Sequence, residues 1–101
     1  MGIIRGVSES GFEYAIDEDT LKSWDYLEAA VNLQKEDLTD QERMTAIVVF
    51  VNILFTGKEK KRFMEHVASI DPVRPPILVL EECNRVISSI KTAKKSTPSQ
   101  E

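Results

Sequence analysis

This chain of 101 residues is poor in the residues that build chemistry: it has one cysteine, one histidine and one tryptophan. A single cysteine, Cys83, excludes an internal disulfide and any cysteine-rich metal site, and it fits a reducing compartment. The lone His66 has no second histidine with which to ligate a metal, and no phosphate-cradling glycine loop is present. Gly57-Lys58-Glu59-Lys60 lacks the upstream glycine and the Ser/Thr of a P-loop. The acids at Asp17, Glu18 and Asp19 lack the D-x-D-x-D-G spacing and the closing glutamate of a calcium loop. Glu81 and Glu82 are adjacent, so on a helix they point in different directions. No catalytic constellation assembles from these parts, and neither an enzyme nor a cofactor or metal is expected.

Two further absences bound the setting. No apolar run reaches the roughly 20 residues that cross a bilayer, so no membrane span is expected. Met1-Gly2-Ile3-Ile4-Arg5 lacks the charged start and long apolar core of a secretion signal, and the myristoylation pattern is missing too. The sequence predicts a cytoplasmic protein. A net charge of −4 disfavours nucleic acid as a partner, because phosphate binding needs a basic surface. That charge is uneven. Eleven acids and two bases lie between Ser8 and Glu42, whereas nine bases and six acids follow from Gly57 onward. Such asymmetry can orient like chains head to tail, and it is also what an ordinary solvated surface looks like.

What the chain does have is one long apolar stretch, Thr39 to Gly57. Thr39 with Glu42 has the capping-box spacing, and Gly57 offers a left-handed stop. Met44, Ile47, Val48, Val51, Leu54 and Phe55 recur at helical spacing, while Val49, Phe50 and Ile53 make the opposite face apolar as well. The β-branched run from Ile47 to Phe55 also suits a buried strand, but the caps and the length favour a helix. A helix apolar all round needs cover on most sides, from a second copy or from a partner.

Around this helix the sequence predicts a mainly α, single small domain over residues 1–93, of about four helices with a short N-terminal strand or hairpin. Residues 3–16 read as extended, with Ser8-Glu9-Ser10-Gly11 as a turn. A first helix runs from about Leu21 or Ser23 to Gln34, with Leu21, Trp24, Leu27 and Val31 on one face. Trp24, Leu27, Val48, Val51 and Phe55 are the expected core anchors. A third helix covers Lys58–Ala68, and its lysine cluster reads as a solvated face. Asp71 to Pro76 is a stiff connection, with Pro76 in the first turn of a last helix over Ile77–Thr92. Cys83 falls among apolar residues there, as an inert core thiol. Residues 94–101 are polar and predicted to be disordered.

Several features in order resemble the tail assembly chaperones of long-tailed bacteriophages and prophages, over about residues 12–96. An extended segment with Phe12 leads into an acidic stretch. Ser23-Trp24-Asp25-Tyr26-Leu27-Glu28 is similar to the family's Asp-Trp-x-x-Leu-Glu helix start, with serine where aspartate often stands. Leu54 to Phe63 (L-F-T-G-K-E-K-K-R-F) is similar to its Leu-Gly-x-Glu segment, here with Phe-Thr before the glycine. The resemblance implies a protein that coats the helical tape measure protein during tail assembly and that self-associates. Val49, Phe50, Ile53, Leu78 and Val79 are the expected exposed apolar contacts. It also implies a frameshifted longer form. Ala93-Lys94-Lys95 is compatible with a slippery A-AAA-AAG heptamer. Rival readings are a small acidic adaptor or inhibitor of one partner protein, and a helix-turn-helix regulator. The Thr56-Gly57 turn supports the regulator, and the acidic balance opposes it.

Overall fold

The computed structural model describes residues 2–95, with side chains through residue 92. Two strands, β1 (Ile3–Val7) and β2 (Glu13–Asp17), form an antiparallel hairpin in the register Ile3 to Asp17 and Val7 to Glu13. Five helices follow: α1 (Glu18–Lys22), α2 (Trp24–Leu33), α3 (Asp40–Leu54), α4 (Gly57–Ile70) and α5 (Pro76–Lys95). The protein is therefore mainly α with an N-terminal hairpin, as the sequence predicts.

The hairpin turn is closed locally. Gly11 adopts φ 93°, a conformation that costs glycine little. The Ser8 N–H donates to the Phe12 carbonyl at 2.8 Å, and the Phe12 N–H donates back to Ser8 Oγ at 3.2 Å. The inner face of β2 buries Tyr14 and Ile16. The phenol of Tyr14 passes so close under Gly6 that a Cβ there would collide with it.

The first helix of the sequence reading is two helices in the structure, and Ser23 is the reason. Its N–H donates to the Thr20 carbonyl at 3.1 Å and its hydroxyl to the same carbonyl at 2.8 Å, which ends α1. Ser23 Oγ in turn accepts from the Tyr26 N–H at 3.2 Å and so starts α2. A residue with extended backbone between two helices cannot continue either one.

Thr39 makes the expected capping box. Its Oγ1 accepts from the Glu42 N–H at 3.1 Å, and its N–H donates to Glu42 Oε1 at 2.9 Å. The helix stops earlier than expected. Phe55, not Gly57, is the C-cap, and it takes extended backbone while its N–H donates to the Val51 carbonyl. Gly57, at φ 55°, instead opens α4. Leaving the helix turns the Phe55 ring inward, where it stacks on Phe63 at 4.3 Å between centroids. Phe12 from the hairpin meets both rings edge-on, at 6.0 and 5.5 Å. α5 runs from Pro76 to Lys95, and the tail expected over 94–101 lies, from residue 96 on, outside the described residues.

α5 closes the core with Val79, Cys83, Val86 and Ile90 at helical spacing. Phe63 and Val67 of α4 are fully buried against them. Phe63→Ala should therefore cost about 3–5 kcal/mol of unfolding free energy, by loss of burial and ring contacts. Trp24→Ala, on an exposed side chain, should change it by no more than about 0.5 kcal/mol. Urea unfolding followed by circular dichroism measures both.

Candidate functional site

Two places in the structure concentrate polar chemistry or uncovered apolar surface. The first lies where the hairpin turn meets α4 and α5. Glu82 is buried, and its Oε1 accepts from the Ser10 hydroxyl and lies 3.3 Å from His66 Nε2. Its Oε2 lies 3.7 Å from Arg85 Nε. Ser10 Oγ is also 3.1 Å from His66 Nε2.

Serine, histidine and glutamate are thus brought together from residues far apart in sequence, which sequence reading alone did not find. The arrangement differs from a nucleophilic triad. In a triad the carboxylate holds one ring nitrogen and the serine uses the other. Here both meet Nε2, and the serine proton points at the carboxylate directly, so the ring is not placed to relay it. The geometry fits a buried fastening; among the described residues no buried side-chain nitrogen or oxygen lacks a hydrogen-bond partner. Arg62 of α4 adds to it by donating to the Glu13 carbonyl at 2.7 Å and lying 5.4 Å over the Phe12 ring. Among the described residues no group of three or more metal-ligating side chains forms.

Cys83 sits beside this cluster, fully buried. Desolvation, reinforced by the charge of Glu82, pushes its thiol up from 9.0 to about 12. The half-buried phenol of Tyr26 is also pushed up, first by desolvation and then by Cys83.

The second place is the outer surface of α2 and α3. Trp24 is 73% exposed, and Leu27 and Val31 are exposed beside it at i, i+3 and i+7. They form a ridge along α2, bordered by Glu28, Asn32 and Lys35. Asn32 and Lys35 continue into a shallow groove of about 250 Å³ between α2 and α3, which reaches Leu38 and Val49.

This placement corrects five of the expected positions. Trp24 and Leu27 are not core anchors. α2 packs on α3 through the small Ala29, with Tyr26, Ala30 and Leu33 around it, because helices approach closely where side chains are short. Its larger residues are left outside. Val48, expected inside, is 57% exposed, whereas Val51 and Phe55 are buried as expected. Phe50 and Val79, expected outside, are 3% and 6% exposed. Phe50 is covered by Tyr26 of α2, ring centroids 5.5 Å apart, and Val79 belongs to the inner stripe of α5. Of the other expected contacts, Val49 is exposed, and Ile53 and Leu78 are half-buried against the core. Among the described residues no helix is long and apolar enough to cross a membrane.

Comparison with protein-family models, with curated proteins and with solved structures finds no match.

Three outcomes follow from this geometry. Iodoacetamide at pH 8 should leave Cys83 unmodified in the native protein and alkylate it in urea, as mass spectrometry would read. The raised thiol also means that the unfolded chain loses this proton first, so stability should fall as the pH rises from 9.0 toward about 12. Ser10→Ala removes a donor from a buried carboxylate and should cost about 1–3 kcal/mol in the same unfolding measurement.

Proposed function

We propose that this protein is a tail assembly chaperone of a long-tailed bacteriophage or prophage, which shields helical segments of the tape measure protein and self-associates in the host cytoplasm. The observation that carries the reading is the Trp24–Leu27–Val31 ridge. It is an apolar helix stripe left uncovered on a domain whose core is otherwise complete. A stripe at i, i+3 and i+7 is the pattern with which amphipathic helices dock on one another. The chaperone identity itself comes from the sequence resemblance.

Binding would work by burial. A tape measure helix laid along α2 and the α2–α3 groove would remove Trp24, Leu27, Val31 and Val49 from water, at roughly 25 cal/mol per Å² of apolar area. The incoming helix loses its own exposed stripe, and with it the tendency to aggregate. The revised contact set is thus on α2 and the outer side of α3, with Phe50 and Val79 serving the core.

A small acidic adaptor that binds one protein partner is the second reading. The exposure of the sole tryptophan favours it, since an uncovered Trp is the commonest kind of interface anchor.

The test is co-expression with the tape measure protein encoded in the same phage or prophage genome. The soluble yield of that protein should rise with the wild-type chain and fall to background with Trp24→Ser/Leu27→Ser, whose own helix content stays unchanged. Trp24 fluorescence should be quenched by acrylamide in the free chain and protected in the complex. A double variant that solubilises the tape measure protein as well as wild type would reject the ridge. No effect of the wild-type chain would reject the chaperone reading and leave the adaptor.

A further inference from the structure

A second groove, on the opposite flank of α3 from α2, lies between α3, α4 and the start of α5. It encloses about 200 Å³. Val48, Val51, Met64, Pro76 and Val79 supply its apolar lining. Its only charged lining residues are Lys60 and Arg74, both cations, on a chain whose net charge is −4. Among the described residues neither the Lys60 ammonium nor the Arg74 guanidinium has a hydrogen-bond or ion-pair partner.

Arg74 is held at this groove at some cost. It is the only non-glycine residue with positive φ among the described residues, at 56°. Glycine or asparagine would adopt that backbone more easily. Asp71 fixes the turn: its carbonyl accepts from the Arg74 N–H at 2.9 Å, and its carboxylate accepts from the Val73 N–H at 3.0 Å. Strain of this kind clusters at ligand clamps.

The dimensions choose the occupant. The volume is below the roughly 300–1,000 Å³ of pockets that take drug-sized molecules. α3 contributes Ile47, Val48, Val51 and Asn52, little more than one turn. A helix docked through three anchors at i, i+3 and i+7 needs roughly 10 Å of groove, about two turns. The Trp24–Val31 ridge of a second copy is too long for the same reason. A single unbranched chain fits, and two unpaired cations ask for an anionic head.

We propose that this groove binds an aliphatic carboxylate of medium chain length, with its acyl chain on Val48, Val51, Met64 and Val79 and its carboxylate between Lys60 and Arg74. Met64 is suited to the floor, because its thioether and flexible χ angles adapt to an irregular chain. The site shares no residue with the α2 ridge and does not depend on the chaperone reading.

The test titrates the full chain with decanoate, below its micelle-forming concentration, and follows Val and Met methyl resonances by NMR. Decanol and decyltrimethylammonium are the neutral and cationic probes. Decanoate should shift the methyls of Val48, Val51, Met64 and Val79 saturably, and bind roughly tenfold tighter than either other probe. Raising the salt should weaken decanoate alone. Lys60→Gln/Arg74→Gln, both on the surface, should keep the circular dichroism spectrum and lose the preference for decanoate. Equal binding of the three probes would overturn the proposal, as would shifts centred on Val31 and Val49 instead. A decanoate preference unchanged in the double variant would overturn the role of the two cations.

Discussion

The contact on which the rest depends is the meeting of Phe12, Phe55 and Phe63. These three rings come from the hairpin turn, from the residue that leaves α3, and from the second turn of α4. Each element would have an unsatisfied face without the others. The hairpin has only two strands, too few to be stable alone in water. α3 ends at Leu54, and Phe55, in extended backbone, stacks on Phe63. α4 begins at Gly57 without any side-chain cap from Thr56, whose carbonyl accepts from the Glu59 and Lys60 N–H groups.

The polar fastening beside that cluster has a related role. Ser10, His66 and Glu82 lie around the rim of the rings, with Phe12 and His66 centroids 5.2 Å apart. A buried carboxylate is costly unless its lone pairs are filled. Here filling them requires the hairpin turn, α4 and α5 in one relative position. Burial of rings is non-directional, so it tolerates sliding; the hydrogen bonds do not. Together they give a core with one geometry, against which α3 is laid with both flanks reaching the surface. The α2 ridge and the cationic groove are consequences of that position.

Division of labour on α3 follows. The inner residues Ile47, Phe50, Val51 and Leu54 serve stability, while Val48 and Val49 emerge on different sides. Val49 lies in the α2–α3 groove and Val48 in the one bounded by Lys60 and Arg74. The excess apolarity of α3 is thus split between two shallow surfaces, neither broad enough to demand a permanent partner. Reversible binding is what such surfaces support.

Local chemistry determined most of the turns and helix starts. Thr39 with Glu42, Ser8 to Gly11, the Pro72–Pro76 break and the alternation at Phe12, Tyr14 and Ile16 each act within a few residues, so their outcome can be read from neighbours in the chain. The mainly helical class with an N-terminal hairpin follows from them. Tertiary structure decided which faces went inside. In α3 every side is apolar, so periodicity carries no direction, and Phe50 lies inside, with the Tyr26 ring over it. In α2 the larger residues stayed outside because close packing on α3 selected Ala29. The Ser10–His66–Glu82 cluster and the pairing of Lys60 with Arg74 around one groove join residues far apart in sequence. Composition showed these residues were present, but only the folded chain fixes the distances on which their chemistry depends.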